Sequence, residues 1–221
     1  MPRDIDPGSI GTADRYKLLI GGVVPRPIAF VSTVSQSGAL NLAPFSFFNA
    51  VGSDPMTLLF CPANKPDGTD KDTLRNCETR ENGGTGAFVV NIASDAYIRE
   101  VAGAAEELPH GDSEFELTGL TPASSARVTP PRVAESPLAY ECETVQIVRT
   151  NPGAAGGGNI VIGRVVNVHI ADDALVNDRY HVDAERLAAI GRMGGRTYCS
   201  TKDRFDLPWG AAALKDSGAQ G

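Results

Sequence analysis

The sequence predicts a mainly β fold, a β-barrel with added helices, for this chain of 221 residues. Short runs rich in β-branched and aromatic residues recur along it, and such runs are typical of strands. Only a few segments have the apolar spacing of a helix, and they do not alternate with the strands as in parallel β/α folds. No run approaches the ~18 apolar residues of a membrane span, so we expect none.

Four strands are expected in the first third of the chain. Residues 28–35 (Ile-Ala-Phe-Val-Ser-Thr-Val-Ser) suit a half-buried strand. A glycine-containing turn and the short run 39–43 then predict its hairpin partner. Two further apolar runs, residues 45–52 and 56–61, predict the next two strands.

A loop and a helix follow these strands. Prolines, a glycine and an asparagine predict an irregular loop over residues 62–70. Residues 72–78 have helical character, and Asp70 or Asp72 is the expected cap, because a carboxylate there accepts bonds from the first backbone N–H groups. The chain returns to a strand over residues 86–92.

A second helix is expected over residues 95–105, where Ser94 supplies the cap and the apolar residues share one face. Residues 111–136 contain several prolines and are expected to be irregular. A short helix is also expected over residues 183–190.

Two long strands, residues 140–149 and 160–170, are expected to pair. The apolar positions of the first change frame after Thr144, which indicates a β-bulge. The connection at residues 151–158 (Asn-Pro-Gly-Ala-Ala-Gly-Gly-Gly) is too rich in glycine to pack, so we expect a mobile hairpin loop. His169 faces away from the apolar side of its strand, which predicts a solvated side chain.

Composition excludes several function classes. The formal net charge is −7 and the pI about 5.0, the opposite of the basic field that a nucleic-acid partner requires. The four cysteines and three histidines lack metal-ligand spacing, so we expect no metal site and free thiols in a reducing compartment. No apolar leader is visible, which favours the cytoplasm. Dinucleotide-fingerprint, P-loop and hydrolase motifs are absent from the sequence.

Two clusters contain the donors that an anionic cofactor needs in an acidic protein. Residues 41–49 (Asn-Leu-Ala-Pro-Phe-Ser-Phe-Phe-Asn) combine hydroxyl and amide groups with aromatic rings, which suits a phosphate beside a flat ring. An ordinary core strand is the alternative. Lys71-Asp72-Thr73 opens a predicted helix, where N–H groups favour an anion; a simple cap with a solvated lysine is the alternative. The glycine-rich stretch 191–195 lets backbone approach a planar ligand closely.

Several motifs, in one order from about Tyr16 to Pro208, resemble the flavin reductase-like family of FMN-binding split-barrel proteins. They extend over nearly the whole chain, and their shared order is more specific than any single motif. The matching segments are residues 26–34, 41–49, 54–56, 71–76, 88–92, 115–120, 131–137 and 191–195, together with Tyr198.

This resemblance implies an antiparallel, six-stranded, Greek-key split barrel in a homodimer, with FMN (FAD is the alternative) bound near the subunit interface. It implies hydride transfer from NADH or NADPH to the flavin, in which the protein mainly orients the ring. Reduced flavin then passes to a partner oxygenase or another acceptor. An FMN-dependent oxidase or oxygenase acting directly on a small organic substrate is one alternative, and a non-catalytic electron carrier is another.

The resemblance also implies the cofactor contacts. The ring is expected against residues 26–28, 32–34 and 47–49. The phosphate is expected against Ser46, Lys71 and Thr73, and residues 192–198 are expected near the site, contributed by either subunit. No residue is assigned a catalytic role. The full expected set is Arg26, Pro27, Ser32, Thr33, Val34, Asn41, Ala43, Ser46, Phe47, Phe48, Asn49, Lys71, Asp72, Thr73, Arg192, Met193, Gly194 and Tyr198.

The same resemblance divides the chain into an N-terminal extension (residues 1–15), a split-barrel domain (residues 16–208) and a flexible C-terminal tail (residues 209–221). A Gly-Gly insertion within residues 81–85 departs from the family pattern. Together with the glycine-rich connection described above, it is expected to change access to the ring.

Overall fold

The computed structural model describes residues 2–109, 111–176 and 179–214. Short 3-10 turns occur at Pro7–Ser9, Arg80–Asn82, Asp95–Tyr97, Asp172–Ala174 and Gly210–Leu214. The α-helices are α1 (Thr12–Gly22), α2 (Asp72–Cys77), α3 (Ile98–Gly103), α4 (Glu114–Thr118) and α5 (Ala184–Leu187). The strands are β1 (Ala29–Val34), β2 (Leu40–Phe45), β3 (Phe48–Ser53), β4 (Met56–Phe60), β5 (Ala87–Ile92), β6 (Pro122–Ala123), β7 (Arg132–Val133), β8 (Leu138–Arg149), β9 (Asn159–Ile170), β10 (Ile190–Arg192) and β11 (Tyr198–Ser200).

One antiparallel sheet dominates the structure, which confirms the predicted mainly β class. Its strand order is β2-β1-β5-β8-β9-β4-β3. The sheet therefore has seven strands, where the family resemblance implies six. Two small pairs, β6 with β7 and β10 with β11, lie outside it.

The sheet must curl, because its two edge strands are neighbours in the chain. β2 ends at Phe45 and β3 begins at Phe48, yet they lie at opposite ends of the strand order. In a flat sheet, six spacings of ~4.8 Å would separate these edges by roughly 29 Å. Three residues span about 10 Å at most. The sheet therefore closes on itself as a split barrel, with a seam at Ser46 and Phe47.

The barrel wall is buried on both faces along β1. The Val31 side faces an interior cluster that includes Phe60 and Phe88, whose ring centroids lie 5.1 Å apart. The Phe30 side packs outside the barrel, in a cluster with Val101 of α3. Each such side chain contributes roughly 1.5–3 kcal/mol by burial. Helix α3 thus covers part of the outside of the barrel.

The two long strands, β8 and β9, pair as the sequence predicts. The register shifts between Glu141 and Cys142 and again between Thr144 and Gln146, which confirms the predicted bulge. The extra residue, Val145, is 63% exposed. The bulge therefore turns this apolar side chain out of the barrel.

Glu141 of β8 is fully buried. Its carboxylate accepts the N–H groups of Ala126 at 2.7 Å and Arg127 at 2.6 Å, and it also bonds Asn167 and His169. The His169 side chain, expected to be solvated, is 29% exposed, and its ring bonds the buried Glu141 carboxylate. Burial by itself raises the pKa of Glu141, but these hydrogen bonds outweigh it and hold the pKa below its usual range.

The glycine-rich connection after β8 packs against the loop before α2, so the expectation that it cannot pack is wrong. The Asn64 backbone N–H donates to the Gly157 carbonyl, and its Nδ2 donates to the Ala154 carbonyl, both at 2.9 Å. Gly68 approaches so closely that a Cβ there would lie 2.2 Å from the Gly153 carbonyl oxygen. Asn64 thus donates hydrogen bonds to carbonyl groups of this connection, which its glycine-rich composition does not predict.

Helix α2 lies where the sequence predicts a helix, but its expected carboxylate cap is wrong. Lys71 occupies the cap position, and its side chain makes no cap hydrogen bond. Asp70 instead pairs with Arg149. Asp72 is the first residue of the helix and pairs with Arg75. Both candidate cap residues thus form ion pairs with arginines.

The predicted helix over residues 95–105 is shorter and divided, since a 3-10 turn precedes α3. Ser94 makes no cap bond there. Residues 111–136 are less irregular than expected, because they include α4, where the Ser113 hydroxyl accepts the Phe115 N–H. Helix α5 confirms the short helix expected near residue 185.

Helix α1 has no counterpart among the sequence predictions. It crosses the expected domain boundary at residue 16, and only Ile20 of the helix is buried. The predicted tail forms a 3-10 turn up to Leu214, and residues 215–221 lie outside the described residues. In the described part of the chain, no helix is long and apolar enough to cross a membrane.

We predict that Glu141→Gln lowers the free energy of unfolding by about 3 kcal/mol, because an amide cannot satisfy all the donors that surround a buried carboxylate. The pKa of Glu141 is depressed in the folded chain, so its stabilising contribution is present above its unfolded pKa of about 4.3 and is lost as the pH falls below that value. Urea denaturation at several pH values measures both effects.

The control is Glu143→Gln, two residues along the same strand, where the carboxylate is half exposed and pairs with Arg164. This variant is expected to lose less than about 1 kcal/mol. Equal losses for the two variants, or an unchanged acid limb in Glu141→Gln, would contradict the role given to Glu141.

Candidate functional site

A cavity of about 110 Å³, here called the Lys71 cavity, lies where β2 meets the start of α2. β2 contributes Asn41 and Ala43, and the start of α2 contributes Lys71 and Thr73. The connection between α3 and α4, residues 104–108, closes the third side. The structure thus brings the two clusters singled out in the sequence to one cavity.

An amide–hydroxyl network fixes the polar side of this cavity. Asn41 Nδ2 donates to Thr73 Oγ1 at 2.9 Å and to Thr33 Oγ1 at 3.1 Å. Asn76 Nδ2 donates to the same Thr33 oxygen at 3.0 Å. Because Thr73 Oγ1 accepts from Asn41, its own hydroxyl proton can be donated to a ligand.

Arg149, at the end of β8, holds both flanks of α2. Its guanidinium bonds the two oxygens of Asp70 at 2.9 and 3.0 Å, and Glu78 Oε1 at 2.7 Å. These bonds raise the pKa of Arg149, with Asp70 the main cause. Asp70 directly precedes Lys71, and Glu78 directly follows the helix. The clamp therefore positions Lys71 and Thr73 relative to the barrel.

Charges of both signs line the Lys71 cavity. Lys65 and Lys71 face it, and so do Glu106, Glu107 and Glu114 among others. Glu114 is buried, and its Oε2 accepts the Leu42 N–H at 2.8 Å. Burial raises the pKa of Glu114.

A second cavity of about 230 Å³, here called the Arg26 cavity, adjoins the first. Pro44 and Ala105 line both cavities, so the two lie next to each other. Ser46, at the barrel seam, lines its floor with Arg26. Tyr16 of α1 lines it as well.

Arg26 is buried and almost fully hydrogen-bonded. Nη1 donates to the carbonyls of Ile20 at 2.8 Å and Val23 at 2.7 Å, at the C-terminal end of α1. Nη2 donates to the Met193 carbonyl at 2.9 Å, and Nε donates to Ser46 Oγ at 3.2 Å. Burial, with help from nearby Arg192, lowers the pKa of Arg26. The negative end of the helix dipole offsets part of this buried charge.

Arg192 lies on β10, which meets Arg26 in an antiparallel bridge. Its guanidinium carbon lies 4.3 Å from the centroid of the Tyr198 ring, and its Nη2 donates to the Gly195 carbonyl at 2.7 Å. Both arrangements follow from the tight turn between β10 and β11, where Gly195 has φ +59°. The turn holds an arginine and an aromatic ring at one end of the cavity.

The structure divides the expected cofactor residues into three groups. The Lys71 cavity is lined by Asn41, Ala43, Lys71, Asp72 and Thr73. The Arg26 cavity is lined by Arg26, Ser46, Arg192 and Tyr198. The others line neither cavity: Pro27, Ser32, Thr33, Val34, Phe47, Phe48, Asn49, Met193 and Gly194. Phe47 stays close, since its ring centroid is 5.8 Å from the Arg26 guanidinium carbon.

Sequence reasoning missed Lys65, Glu114 and Tyr16. Lys65 carries a usable signal, a second lysine six positions before Lys71. Tyr16 lies in a helical run that ends in Gly-Gly, which is a recognisable helix stop. Glu114 carries no local signal, because its partner lies 72 residues away in the chain.

Within the described residues, no group of three or more His, Cys, Asp or Glu side chains is placed to hold a metal ion. His110, one of the three histidines considered in the sequence, lies outside those residues.

Comparisons with known families and proteins find similarity over most of the chain. Residues 21–186 match the family described as the flavin reductase like domain. An uncharacterized protein of Halalkalibacterium halodurans is 37% identical over 206 residues, which are 92% of this chain and 94% of that protein.

Two solved structures extend the comparison. Nitrilotriacetate monooxygenase component B from Bacillus cereus has a TM-score of 0.85 and 34% identity, over 94% of this chain and 99% of that one. The 2-nitrobenzoate 2-nitroreductase of Pseudomonas fluorescens has a TM-score of 0.81 and 26% identity, over 99% and 100% of the two chains.

We predict that Arg26→Lys lowers the free energy of unfolding by about 3 kcal/mol, because one ammonium group cannot reach acceptors on α1, the seam and β10 together. Arg164→Lys, on the exposed face of β9, is the matched control and is expected to cost no more than about 0.5 kcal/mol. Urea denaturation compares the two; similar losses would mean that Arg26 does not join these elements.

Proposed function

The chain belongs to the flavin reductase-like domain family, and from that premise we propose that it binds FMN and uses NADH or NADPH to reduce it. One observation carries the proposal: two neighbouring cavities share Pro44 and Ala105, with phosphate-type donors in one and, in the other, two arginines beside apolar side chains such as Ile28 and Val101. FMN has a phosphate at one end and a flat ring at the other.

The Lys71 cavity suits the phosphate. The Lys71 ammonium supplies charge, Thr73 has a hydroxyl proton to donate, and Asn41 holds that hydroxyl in place. Charge-assisted bonds of this type are roughly twice as strong as neutral ones. Lys65 adds a second cation, which helps to balance the surrounding carboxylates.

The Arg26 cavity suits the flat end of the cofactor. A ligand anchored at Lys71 can extend past Pro44 towards Ser46 at the seam. Ile28 and Val101 supply apolar wall on that side. The contacts expected from residues that line neither cavity stay predictions.

Bound FMN supplies the hydride-accepting chemistry, so the chain needs no acid–base pair of its own. Lys71 and Thr73 anchor the phosphate. Arg26 fixes the positions of α1, the seam and β10 relative to one another, so these segments can orient a ligand that contacts them. Ile28 and Val101 exclude water from the reacting face. Holding two reactants in register in this way is a proximity effect.

The proposal includes a homodimer and a recipient for reduced flavin. Helix α1 leaves Tyr16, Leu18 and Leu19 more than half exposed beside the Arg26 cavity, and such a cluster on a helix supports contact with a second copy. The similar Bacillus cereus protein is component B of a monooxygenase, which supports transfer of reduced flavin to a partner oxygenase. The free thiols agree with a cytoplasmic location.

A second candidate is FMN-dependent reduction or oxidation of a small organic substrate in the same chamber. The similar Pseudomonas fluorescens protein is a nitroreductase, and this favours the candidate over a non-catalytic electron carrier. FAD remains the alternative flavin.

We predict that NADH or NADPH bleaches the visible absorbance of the FMN-loaded protein under anaerobic conditions at a catalytic rate. Stopped-flow absorbance measures this, with FMN alone as the control. Bound flavin that neither nucleotide reduces would exclude the reductase and leave the second candidate.

We also predict that Lys71→Ala weakens FMN binding by about 1–3 kcal/mol, the range for a lost charged hydrogen bond, which corresponds to roughly 5- to 150-fold in Kd. Lys17→Ala, on the exposed side of α1, removes the same charge away from the cavity and is the matched control. Fluorescence titration with FMN compares them. An unchanged Kd in Lys71→Ala would remove the phosphate from this cavity.

A further inference from the structure

Residues 205–214, here called the C-terminal arm, expose large apolar side chains. Arg204 pairs with Glu185, which fixes the point where the arm leaves the barrel. Beyond Arg204, no hydrogen bond or ion pair joins the arm to the rest of the described chain. Four of its side chains are between 62% and 95% exposed: Phe205, Leu207, Trp209 and Leu214.

An uncovered segment of this composition is typical of an interaction site. Burial of one such side chain contributes roughly 1.5–3 kcal/mol, and the arm gains almost none of this within its own copy. Its one regular element, the 3-10 turn Gly210–Leu214, has no buried residue. Apolar side chains clustered at the surface of a soluble protein mark a contact with another surface.

Helix α1 presents a surface of matching character. Only Ile20 of its eleven residues is buried, and a helix of this length has little stability without packing. Arg15 lies three and four positions before Leu18 and Leu19, so the three side chains share one outward face. Tyr16 borders this face and lines the Arg26 cavity. A segment docked on the outward face of α1 therefore lies beside the candidate site.

The unpaired charges of the two surfaces have opposite signs. Among the described residues, Arg15 bonds only the Thr12 hydroxyl and has no acidic partner. In the arm, Asp206 stands between two of the exposed apolar side chains and forms no ion pair with a described residue. Two copies with a formal net charge of −7 each repel one another. A contact between Arg15 and Asp206 opposes that repulsion and sets the orientation of the arm.

The arm and helix α1 do not cover each other within one copy. Trp209 is 95% exposed, and Leu18 and Leu19 are each 52% exposed in the same structure. One chain thus carries both halves of the contact, and two copies related by a two-fold axis can exchange their arms. Ten residues reach at most about 33 Å. This exceeds the radius of gyration of roughly 17 Å expected for a domain of 221 residues.

We propose that the C-terminal arm of one copy docks on the outward face of helix α1 of a second copy. Trp209 packs there against Leu18 and Leu19. The Asp206 carboxylate pairs with Arg15. This inference rests on the homodimer of the proposed function, and it identifies the segment that makes the contact. Each Arg26 cavity is then bordered by both copies.

The test uses the fluorescence of Trp209, which is the only tryptophan in the sequence and therefore reports on the arm alone. Sedimentation of the full chain is expected to show a dimer. The tryptophan emission of that dimer is expected at shorter wavelength than the emission of N-acetyltryptophanamide, and dilution below the dimer Kd is expected to remove the difference.

A variant of α1 locates the docking surface without changing the arm. Leu18→Glu is expected to weaken dimerisation at least tenfold and to move the Trp209 emission to the value of N-acetyltryptophanamide. Leu117→Glu on α4, where the leucine is also 52% exposed, is the matched control and is expected to change neither quantity. Circular dichroism confirms that the variants fold.

Charge reversal tests the ion pair and replaces the first variant if Leu18→Glu loses its fold. Arg15→Glu is expected to weaken dimerisation several-fold, because it places two acids together. Adding Asp206→Arg to the same chain is expected to restore the dimer. If the double variant dimerises no better than Arg15→Glu alone, the pairing of Asp206 with Arg15 is wrong.

The other outcomes overturn the inference in distinguishable ways. A dimer whose Trp209 emission matches that of N-acetyltryptophanamide would overturn it and leave the homodimer in place. Short-wavelength emission that neither dilution nor Leu18→Glu changes would mean that the arm docks elsewhere. A chain that stays monomeric would overturn both the inference and the homodimer. FMN titration of the same samples tests the cofactor separately, so a chain that exchanges its arms without binding FMN fails only the proposed function.

Discussion

The three-residue step from β2 to β3 constrains the whole molecule. These strands are the two edges of a seven-stranded sheet. Because the connection between them is so short, the sheet must close on itself. Closure creates a seam, and the polar side chain at the seam is Ser46, which accepts the Nε–H of Arg26. Ser46 also lines the Arg26 cavity, so the position of that cavity follows from the connectivity of the sheet.

The hydrogen bonds of Arg26 hold the seam against the segments around it. Its donors reach the end of α1, the residue after β10 and the seam itself, three places far apart in the chain. Carbonyl and hydroxyl oxygens, rather than a carboxylate, satisfy this buried cation. Its positive charge therefore stays available to the cavity instead of being cancelled by an acid.

Local sequence patterns predicted the elements that are determined by residues close together in the chain. The hairpin of β1 and β2, the frame change near Val145 and the lysine of α2 all follow from neighbouring residues. Glu114 and Glu141 could not be predicted to be buried, because their N–H partners come from other parts of the chain. Alternation along β9 predicted which face His169 occupies, but it could not predict the contact with a buried glutamate on the paired strand. The family resemblance supplied the long-range arrangement that periodicity could not.

The contact between Gly68 and Gly153 has a consequence for how this protein can vary. The tip of the β8–β9 hairpin resembles a neutral spacer, but it serves as a template for the loop that leads into Lys71. Insertions or bulkier residues at that tip would displace this loop and, through it, Lys71 and the cavity beside α2. If the proposed phosphate contact at Lys71 holds, a library randomised at the tip would be selected for cofactor affinity as well as for folding.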